Sequence, residues 1–204
     1  NSILRHKENY IEENHNAQTH SRCIFTHCSN VPAIDELLTE LPGQSRQLHD
    51  GTFHHMFDGG WMWIIPFDNF HRSESNLCSI GLLLDPRKYP LDESLSPEQE
   101  MKKIIAQFPS IERHVANCTA VRPYVRTNRL QYKSTKAAGH RHFISNNVYG
   151  FIDPLYSSGL INSFEMVFYG ANLLLEAFER KGIEIAFPQR DVHIDGEIKV
   201  SRER

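Results

Sequence analysis

Two tryptophans one residue apart constrain this chain most. The run Gly60-Trp61-Met62-Trp63-Ile64-Ile65-Pro66 reads as a strand, and in a strand Trp61, Trp63 and Ile65 share one face. Two indoles on one face make a large apolar wall with two N–H donors that need partners. Taken alone, such a pair belongs to the core side of a sheet. Residues 52–57 read as a second strand, with Asp58-Gly59-Gly60 as the turn between the two. An Asp-Gly dipeptide supplies the positive φ of a tight hairpin. A third strand covers 77–84, an apolar run closed by Asp85-Pro86, because proline cannot donate to a ladder. Three consecutive antiparallel strands make a curved sheet with one face free to cover a ligand.

The rest of the chain supplies helices and shorter strands. Residues 22–28 have strand character. Residues 33–41 form a short helix stopped by Pro42-Gly43, and the polar stretch 8–21 is a loop. Ser96-Pro97-Glu98-Gln99 opens a helix. Ser96 is its N-cap, Pro97 suits the first helical position and Gln99 completes a capping box. Met101, Ile104, Ile105 and Phe108 fall at helical spacing, so that face packs inward. Pro109 ends this helix and 111–115 adds a further turn. Strands are expected at 121–125 and 129–132, with another starting at Phe143-Ile144. The spacing of Phe164, Val167, Phe168, Leu174, Leu175 and Phe178 predicts a helix over 163–180, and Gly182 is its stop.

A second segment stands out just before that helix: Tyr149-Gly150-Phe151-Ile152-Asp153-Pro154-Leu155-Tyr156-Ser157-Ser158-Gly159. A strand, a turn bearing Gly and Asp-Pro, and a helix start present backbone N–H groups that bind anions without a charged side chain. The plainer alternative is a helix start capped by Ser157 or Ser158.

Composition narrows the classes. The chain has 204 residues, of which 40% are hydrophobic and 23% charged, enough for one domain with a core. A net charge of −3 and the lack of a basic cluster argue against nucleic acid or anionic membrane as partner. No run approaches the roughly 18 to 20 apolar residues of a membrane span, and the N-terminus has no signal-peptide core. A soluble, cytoplasmic protein is expected. The chain opens on Asn1 rather than Met, as expected for a chain that begins inside a longer protein or follows processing. Cys23, Cys28, Cys78 and Cys118 form no CxxC pair and read as free thiols of a reducing compartment. His54 and His55 are adjacent and His140 and His142 alternate, but no metal-ligand spacing accompanies them, so no metal site is expected.

The tryptophan run resembles a family motif. Trp61-Met62-Trp63-Ile64-Ile65-Pro66 matches the WxWxIP signature of flavin-dependent halogenases at every fixed position. Residues from about 59 to 163 resemble the back half of such enzymes. The order of segments is similar too: a glycine-bearing strand at 78–84, a helix ending at Phe108-Pro109, then a strand leading to Gly139. The resemblance implies an α+β fold: an antiparallel substrate-side sheet with flanking helices, the C-terminal part of a flavin monooxygenase-like fold. It implies FAD as cofactor, with Gly150, Phe151, Ile152, Asp153 and Pro154 along it. It implies backbone contacts from Ser158 and Gly159 to chloride or bromide, and a substrate tunnel shaped by Trp61, Trp63 and Pro66. The flavin supplies the oxygen chemistry that turns halide into an electrophile, and a lysine passes it to an electron-rich ring. The implied partners are therefore an aromatic small molecule, free or carrier-bound, halide, and a flavin reductase.

The chain departs from the pattern in places. The usual flavin motif reads Gly-Asp-Ala-x-Gly, whereas here it is Asn146-Asn147-Val148-Tyr149-Gly150. Asn147 stands for a carboxylate and Asn146 for a glycine. Tyr156 stands where members acting on tryptophan carry Glu, which points to a phenol- or pyrrole-type substrate. The family's N-terminal GxGxxG and its catalytic lysine have no counterpart in these residues. No catalytic residue is therefore assigned, and this stretch alone is not expected to bind flavin tightly or turn over.

The end of the chain resembles something else. Gly182-Ile183-Glu184-Ile185-Ala186-Phe187-Pro188-Gln189-Arg190-Asp191-Val192-His193-Ile194 is similar to the cytoplasmic C-terminus of small-conductance mechanosensitive channels, usually GIEIPFPQRDVHI. The expected division is thus 1–170 as a partial halogenase-like domain and 171–204 as a short helix–strand tail. An exposed strand edge there would seek a partner and could assemble a homo-oligomer. Two other classes compete with a halogenase fragment: a non-catalytic binding or assembly protein built on the same fold, and a channel fragment. A plain flavin monooxygenase or reductase is a variant of the first.

Overall fold

The computed structural model describes residues 3–12, 18–38, 45–140 and 142–183. The chain enters through helix α1 (Ile3–Lys7) and lays down strand β1 (Arg22–Ser29). One helical turn, α2 (Ile34–Leu37), precedes the hairpin of β2 (Phe53–Phe57) and β3 (Gly60–Pro66), and β4 (Leu77–Leu84) completes the meander. Helices α3 (Pro97–Ile105) and α4 (Pro109–Val115) follow, then the short strands β5 (Thr119–Ala120) and β6 (Val125–Thr127). These strands form a six-stranded antiparallel sheet in the order β2-β3-β4-β1-β5, with β6 also on β1. The remainder comprises β7 (Tyr132–Lys133), β8 (Ala138–Gly139), β9 (His142–Phe143), α5 (Asn146–Tyr149), β10 (Gly150–Phe151) and the long helix α6 (Ser158–Arg180). β10 pairs with β7, and β8 with β9.

The pleat of the sheet separates two environments. Ile24, Met62 and Leu82 lie in one row across β1, β3 and β4, and Ile64 and Ile80 in the next. With Leu84 they pack on Met101, Ile104 and Ile105 of α3 and Ile111 and Val115 of α4. Each such fully buried side chain contributes about 1.5–3 kcal/mol. The capping box that starts α3 forms as its sequence requires: Gln99 N donates to Ser96 Oγ at 3.2 Å, and Ser96 N donates to Gln99 Oε1 at 3.0 Å. The opposite face carries a smaller cluster of Cys23, Trp61 and Leu83, flanked by Phe25, Trp63, Leu130 and Leu155.

A buried ion cluster ties α3 to the sheet. Arg22 on β1 has a fully buried side chain, and its Nη2 lies 2.6 Å from Glu100 Oε1. The other carboxylate oxygen of Glu100 accepts from Arg126 Nη1 on β6 at 2.8 Å. Arg22 Nε donates to the Tyr89 carbonyl at 2.6 Å, and Arg126 Nη1 to that of Asp92 at 2.9 Å. One carboxylate therefore answers two guanidinium groups that would otherwise be stranded away from water. On the same face of the sheet, His55 Nε2 lies 2.9 Å from His114 Nδ1, and His114 Nε2 lies 3.1 Å from the Pro32 carbonyl. A carbonyl only accepts, so His114 carries its proton on Nε2 and takes a hydrogen bond from His55 on Nδ1. Burial, then the neighbouring His114, pulls the His55 pKa down to about 4.

The hairpin, the third strand and the α3 cap follow the sequence reading. Only the second turn residue, Gly59, has positive φ, at 88°. Other segments differ. Of the strand expected at 121–125 only Val125 forms, as the start of β6, and residues 121–124 connect β5 to β6; Pro123 has no N–H to offer a ladder, and the Arg122 carbonyl accepts from Thr26 Oγ1 at 2.8 Å. The strand expected at 129–132 is reduced to β7 (Tyr132–Lys133). Leu130 makes a single backbone bond, to the Ser21 carbonyl. The short helix expected over 33–41 is the single turn Ile34–Leu37, and the rest of that range from 39 lies outside the described residues. The strand expected before Gly150 is instead the helical turn α5, closed by Val148 and Tyr149 N–H on the Ser145 carbonyl. Helix α6 begins five residues earlier than the 163–180 spacing indicated and runs unbroken through position 170. Its apolar side chains are not covered by the described residues: Phe164, Val167 and Phe168 are 68%, 68% and 66% exposed. Gly182, at φ 63°, closes it as expected, with Gly182 N on the Glu179 carbonyl and Ile183 N on that of Phe178. The channel-like run from 184 onward, and with it the tail strand, lies outside the described residues.

Two outcomes follow. Glu100→Ala leaves Arg22 and Arg126 without their counter-ion and should cost about 3–5 kcal/mol in urea unfolding; a loss below about 1 kcal/mol would mean water already satisfies them. His55 binds its proton more weakly folded than unfolded, so its contribution is present above about 6.5 and is lost as pH falls toward about 4. Urea midpoints of the wild type should fall across that window, and the fall should shrink in His55→Phe.

Candidate active site

The second face of the sheet is an aromatic floor. The register sets His54, Trp63, Gly81 and Phe25 in one row across β2, β3, β4 and β1. Met56, Trp61, Leu83 and Cys23 form the row on one side, and Ile65, Ser79 and His27 lie on the other. Gly81 is the reason Trp63 can lie flat: a Cβ there would fall inside the Trp63 indole. The indole N–H of Trp63 donates to Ser79 Oγ at 3.2 Å, which answers one of the two donors that the motif brings. Trp61 and Trp63 stand with ring centroids 5.9 Å apart, and Phe25 flanks Trp63 at 6.3 Å. His54 meets Trp61 edge-to-face at 5.2 Å and Tyr156 at 5.7 Å.

The glycine-bearing segment is folded against this floor. Gly150 and Phe151 pair with Lys133 and Tyr132, and the Phe151 and Tyr132 rings stack at 6.2 Å. Asp153 Oδ1 accepts the Leu155 N–H at 2.8 Å and shapes the turn. Tyr156 and Ser157 both adopt left-handed backbone, φ 57° and 54°. Each such non-glycine residue costs on the order of 1–3 kcal/mol. Ser157, expected as a candidate cap, makes no side-chain cap bond to α6, because its left-handed backbone departs from the extended conformation of a capping residue. Asn146 Nδ2 and Ser163 Oγ both donate to the Gly159 carbonyl at 2.8 Å. A Cβ on Gly159 would come within 2.9 Å of the Asn147 carboxamide oxygen, so the glycine lets Asn147 lie against the helix start. In any α-helix, the N–H groups of the first turn have no partner within the helix.

Two cavities meet here. One, of about 630 Å³, is lined by Tyr132, Lys133, Gly150, Ile152, Asp153 and Ser158 among others. The second, of about 510 Å³, lies over the aromatic floor and is lined by Phe25, His27, His54, Trp61, Trp63 and Pro154 among others. Asn147, Phe151 and Gly159 line both and form the partition between them. Among the described residues, no Asp, Glu, Lys or Arg lines the second cavity. Burial lowers the His54 pKa below its ordinary value.

The residues singled out from sequence thus divide by cavity. Trp61, Trp63 and Pro154 line the aromatic one, Gly150, Ile152, Asp153 and Ser158 the other, and Phe151 and Gly159 both. Pro66 is not among them. It pairs with Cys78 on the opposite parity and is buried on the core face, beside Ile64 and His114. Side chains alternate along a strand, so a residue three positions from Trp63 faces the other way. Sequence reasoning missed Phe25, His27, His54 and Ser79. The signal was present in the strand pattern, since residues in register with Trp61, Trp63 and Ile65 share their face.

The chain is 43% identical over 160 residues to the monodechloroaminopyrrolnitrin halogenase PrnC of Pseudomonas fluorescens. It is 42% identical over 159 residues to the tetracycline 7-halogenase of Kitasatospora aureofaciens. The homologues of this chain are halogenases. These matches take in 78% and 76% of the chain but 28% of each relative. Among solved structures, halogenase PltM in complex with phloroglucinol and FAD matches 88% of this chain and 36% of its own, with TM-score 0.78 and 32% identity. CmlS, a flavin-dependent halogenase, shares the fold at TM-score 0.62 and 16% identity, over 88% of this chain and 29% of its own. The chain therefore spans about a third of the length of these proteins. No family model matches it. The mixed antiparallel sheet and helices belong to the halogenase fold, and the channel and binding-protein alternatives are not favoured by these relatives.

Gly81→Ala tests the floor. The added methyl must displace the Trp63 indole and break its bond to Ser79, so about 1–3 kcal/mol of stability should be lost, with a changed near-ultraviolet circular dichroism spectrum. An unaltered spectrum would show that Trp63 does not lie over Gly81.

Proposed function

We propose that this chain is the substrate-side portion of an FAD-dependent halogenase that modifies an electron-rich aromatic of phenol or pyrrole type. The observation that carries this reading is the pair of cavities sharing Asn147, Phe151 and Gly159 as their partition. A cofactor on one side and a ring on the other would then be separated by a single layer of residues. The likeness to halogenases at 42% and 43% identity supports it.

The residues of the larger cavity suit a flat heteroaromatic group. Its volume of about 630 Å³ lies within the range of cofactor sites. Gly150 brings bare backbone to its wall, where a Cβ would already meet the Tyr132 carbonyl at 3.1 Å. Gly150, Phe151, Ile152, Asp153 and Pro154 would lie along FAD, which supplies the oxygen chemistry that makes halide electrophilic. Ser158 and Gly159 would hold chloride or bromide through the N–H groups that open α6. Asn146 braces that turn through the Gly159 carbonyl. Trp61 and Trp63 would hold the ring flat and keep water from it. Reduced flavin would come from a flavin reductase. No helix among the described residues is long and apolar enough to cross a membrane, and the free cysteines suit the reducing cytoplasm, where we place the reaction. The likeness of the run from Gly182 to a channel terminus is a reading of sequence alone.

Crystals of the protein carrying this chain, grown with FAD and bromide, should show an anomalous peak at the backbone of Ser158 and Gly159. A flavin-bound crystal without that peak would remove the halide site. In the same protein, Trp63→Ala should lower kcat/KM for the aromatic substrate about tenfold, equivalent to about 1.4 kcal/mol of transition-state stabilisation.

A further inference from the structure

The cavity over the tryptophans selects its ligand by what it lacks. A charged ligand entering it would lose hydration and meet no counter-ion among the described residues, none of whose Asp, Glu, Lys or Arg side chains lines it. Several of its polar side chains are already engaged. Ser79 Oγ accepts from Trp63, and the Cys23 thiol lies 3.2 Å from Thr127 Oγ1. His27 stands edge-on to Phe67 at 5.4 Å, beyond Ser79 in the register. His54 is directly opposite Trp63. Its ring is held between Trp61 and Tyr156, and neither of its nitrogens makes a hydrogen bond among the described residues. Burial disfavours its charged form, so one nitrogen carries a proton and the other a free lone pair. The aromatic clamp fixes the plane of that imidazole without using either nitrogen.

Resting on the aromatic-cavity reading above, we propose that His54 reads the ligand. Its free imidazole nitrogen accepts the O–H or N–H of an uncharged, electron-rich ring lying against Trp61 and Trp63. A ring whose donor is held this way is also richer in electrons, which suits attack on an electrophile. The titratable groups facing His54 are Cys23 and His27 in the cavity and the Tyr156 hydroxyl beside the ring.

The test is a titration of the full chain, read by quenching of its two tryptophans, Trp61 and Trp63. The probes are phloroglucinol, its trimethyl ether, which cannot donate, and its ring carboxylate, which is charged. Phloroglucinol should bind about tenfold more tightly than the ether, the worth of one buried hydrogen bond, and the carboxylate more weakly than either. The preference for phloroglucinol should disappear as pH falls through the imidazole range. His54→Phe should abolish both the preference and its pH dependence. His54→Gln, which keeps an acceptor, should restore some of the preference without the pH dependence. A preference that survives His54→Phe, or that is lost in His27→Phe instead, overturns the assignment. Failure of both phloroglucinol and the ether to quench the wild type overturns the aromatic-cavity reading itself.

Discussion

The pleat of the antiparallel sheet governs everything else in this molecule. Each of β1, β3 and β4 contributes alternate side chains to two faces, and their register is fixed over eight paired residues between β1 and β4. A shift of one residue would bring Trp61, Trp63 and Phe25 against α3 and α4 and expose Ile24, Met62 and Leu82. The apolar core on one side therefore holds the aromatic floor in place on the other. Gly81 completes the arrangement, because the Trp63 indole occupies the space that any side chain there would take.

The back of the sheet is held by more than apolar contact. Glu100 lies between Arg22 and Arg126 with both carboxylate oxygens engaged. A helix attached only by Met101, Ile104 and Ile105 could slide by a turn at modest cost, whereas a carboxylate bonded to guanidinium groups on two strands has one position. The polar cluster thus fixes the placement of α3 on the sheet, while the apolar residues supply the free energy. Helix α6 is in a different situation. It is closed by a well-formed glycine stop, yet its apolar side chains find no cover among the described residues.

The site is electrostatically uneven. Lys133 and Asp153 line the cavity beside Gly150, whereas no Asp, Glu, Lys or Arg among the described residues lines the cavity over the tryptophans. The partition between them carries a carboxamide, a phenyl ring and a bare glycine. Such a wall is thin and neutral, and it admits close approach from either side. Strain is concentrated beside it: Tyr156 and Ser157 hold left-handed backbone immediately before the helix whose second residue, Gly159, belongs to that partition. Placing strained residues where a site is built is a recurrent way to fix geometry that local preferences would not choose.

Much of the sheet could be read from the chain. Alternation around Trp61 and Trp63, the Asp58-Gly59 turn and the Ser96–Gln99 capping box are local signals, each set by residues within a few positions of one another. For the same reason the sequence by itself determined that Trp61, Trp63 and Ile65 share a face, and its motif pointed to halogenases. Pro66 shows the limit of a motif: it belongs to the same run, but strand parity turns it into the core. Residues 121–125 show another, since only Val125 joins a strand and Pro123 brings no N–H to a ladder. Only the tertiary structure decided that His54 stands opposite Trp63, that Asn147, Phe151 and Gly159 form a wall between the two cavities, and that Glu100 is shared by two arginines. These are contacts between segments distant in sequence, set by strand register and helix packing, and no local pattern encodes a distance between residues that the chain has yet to bring together.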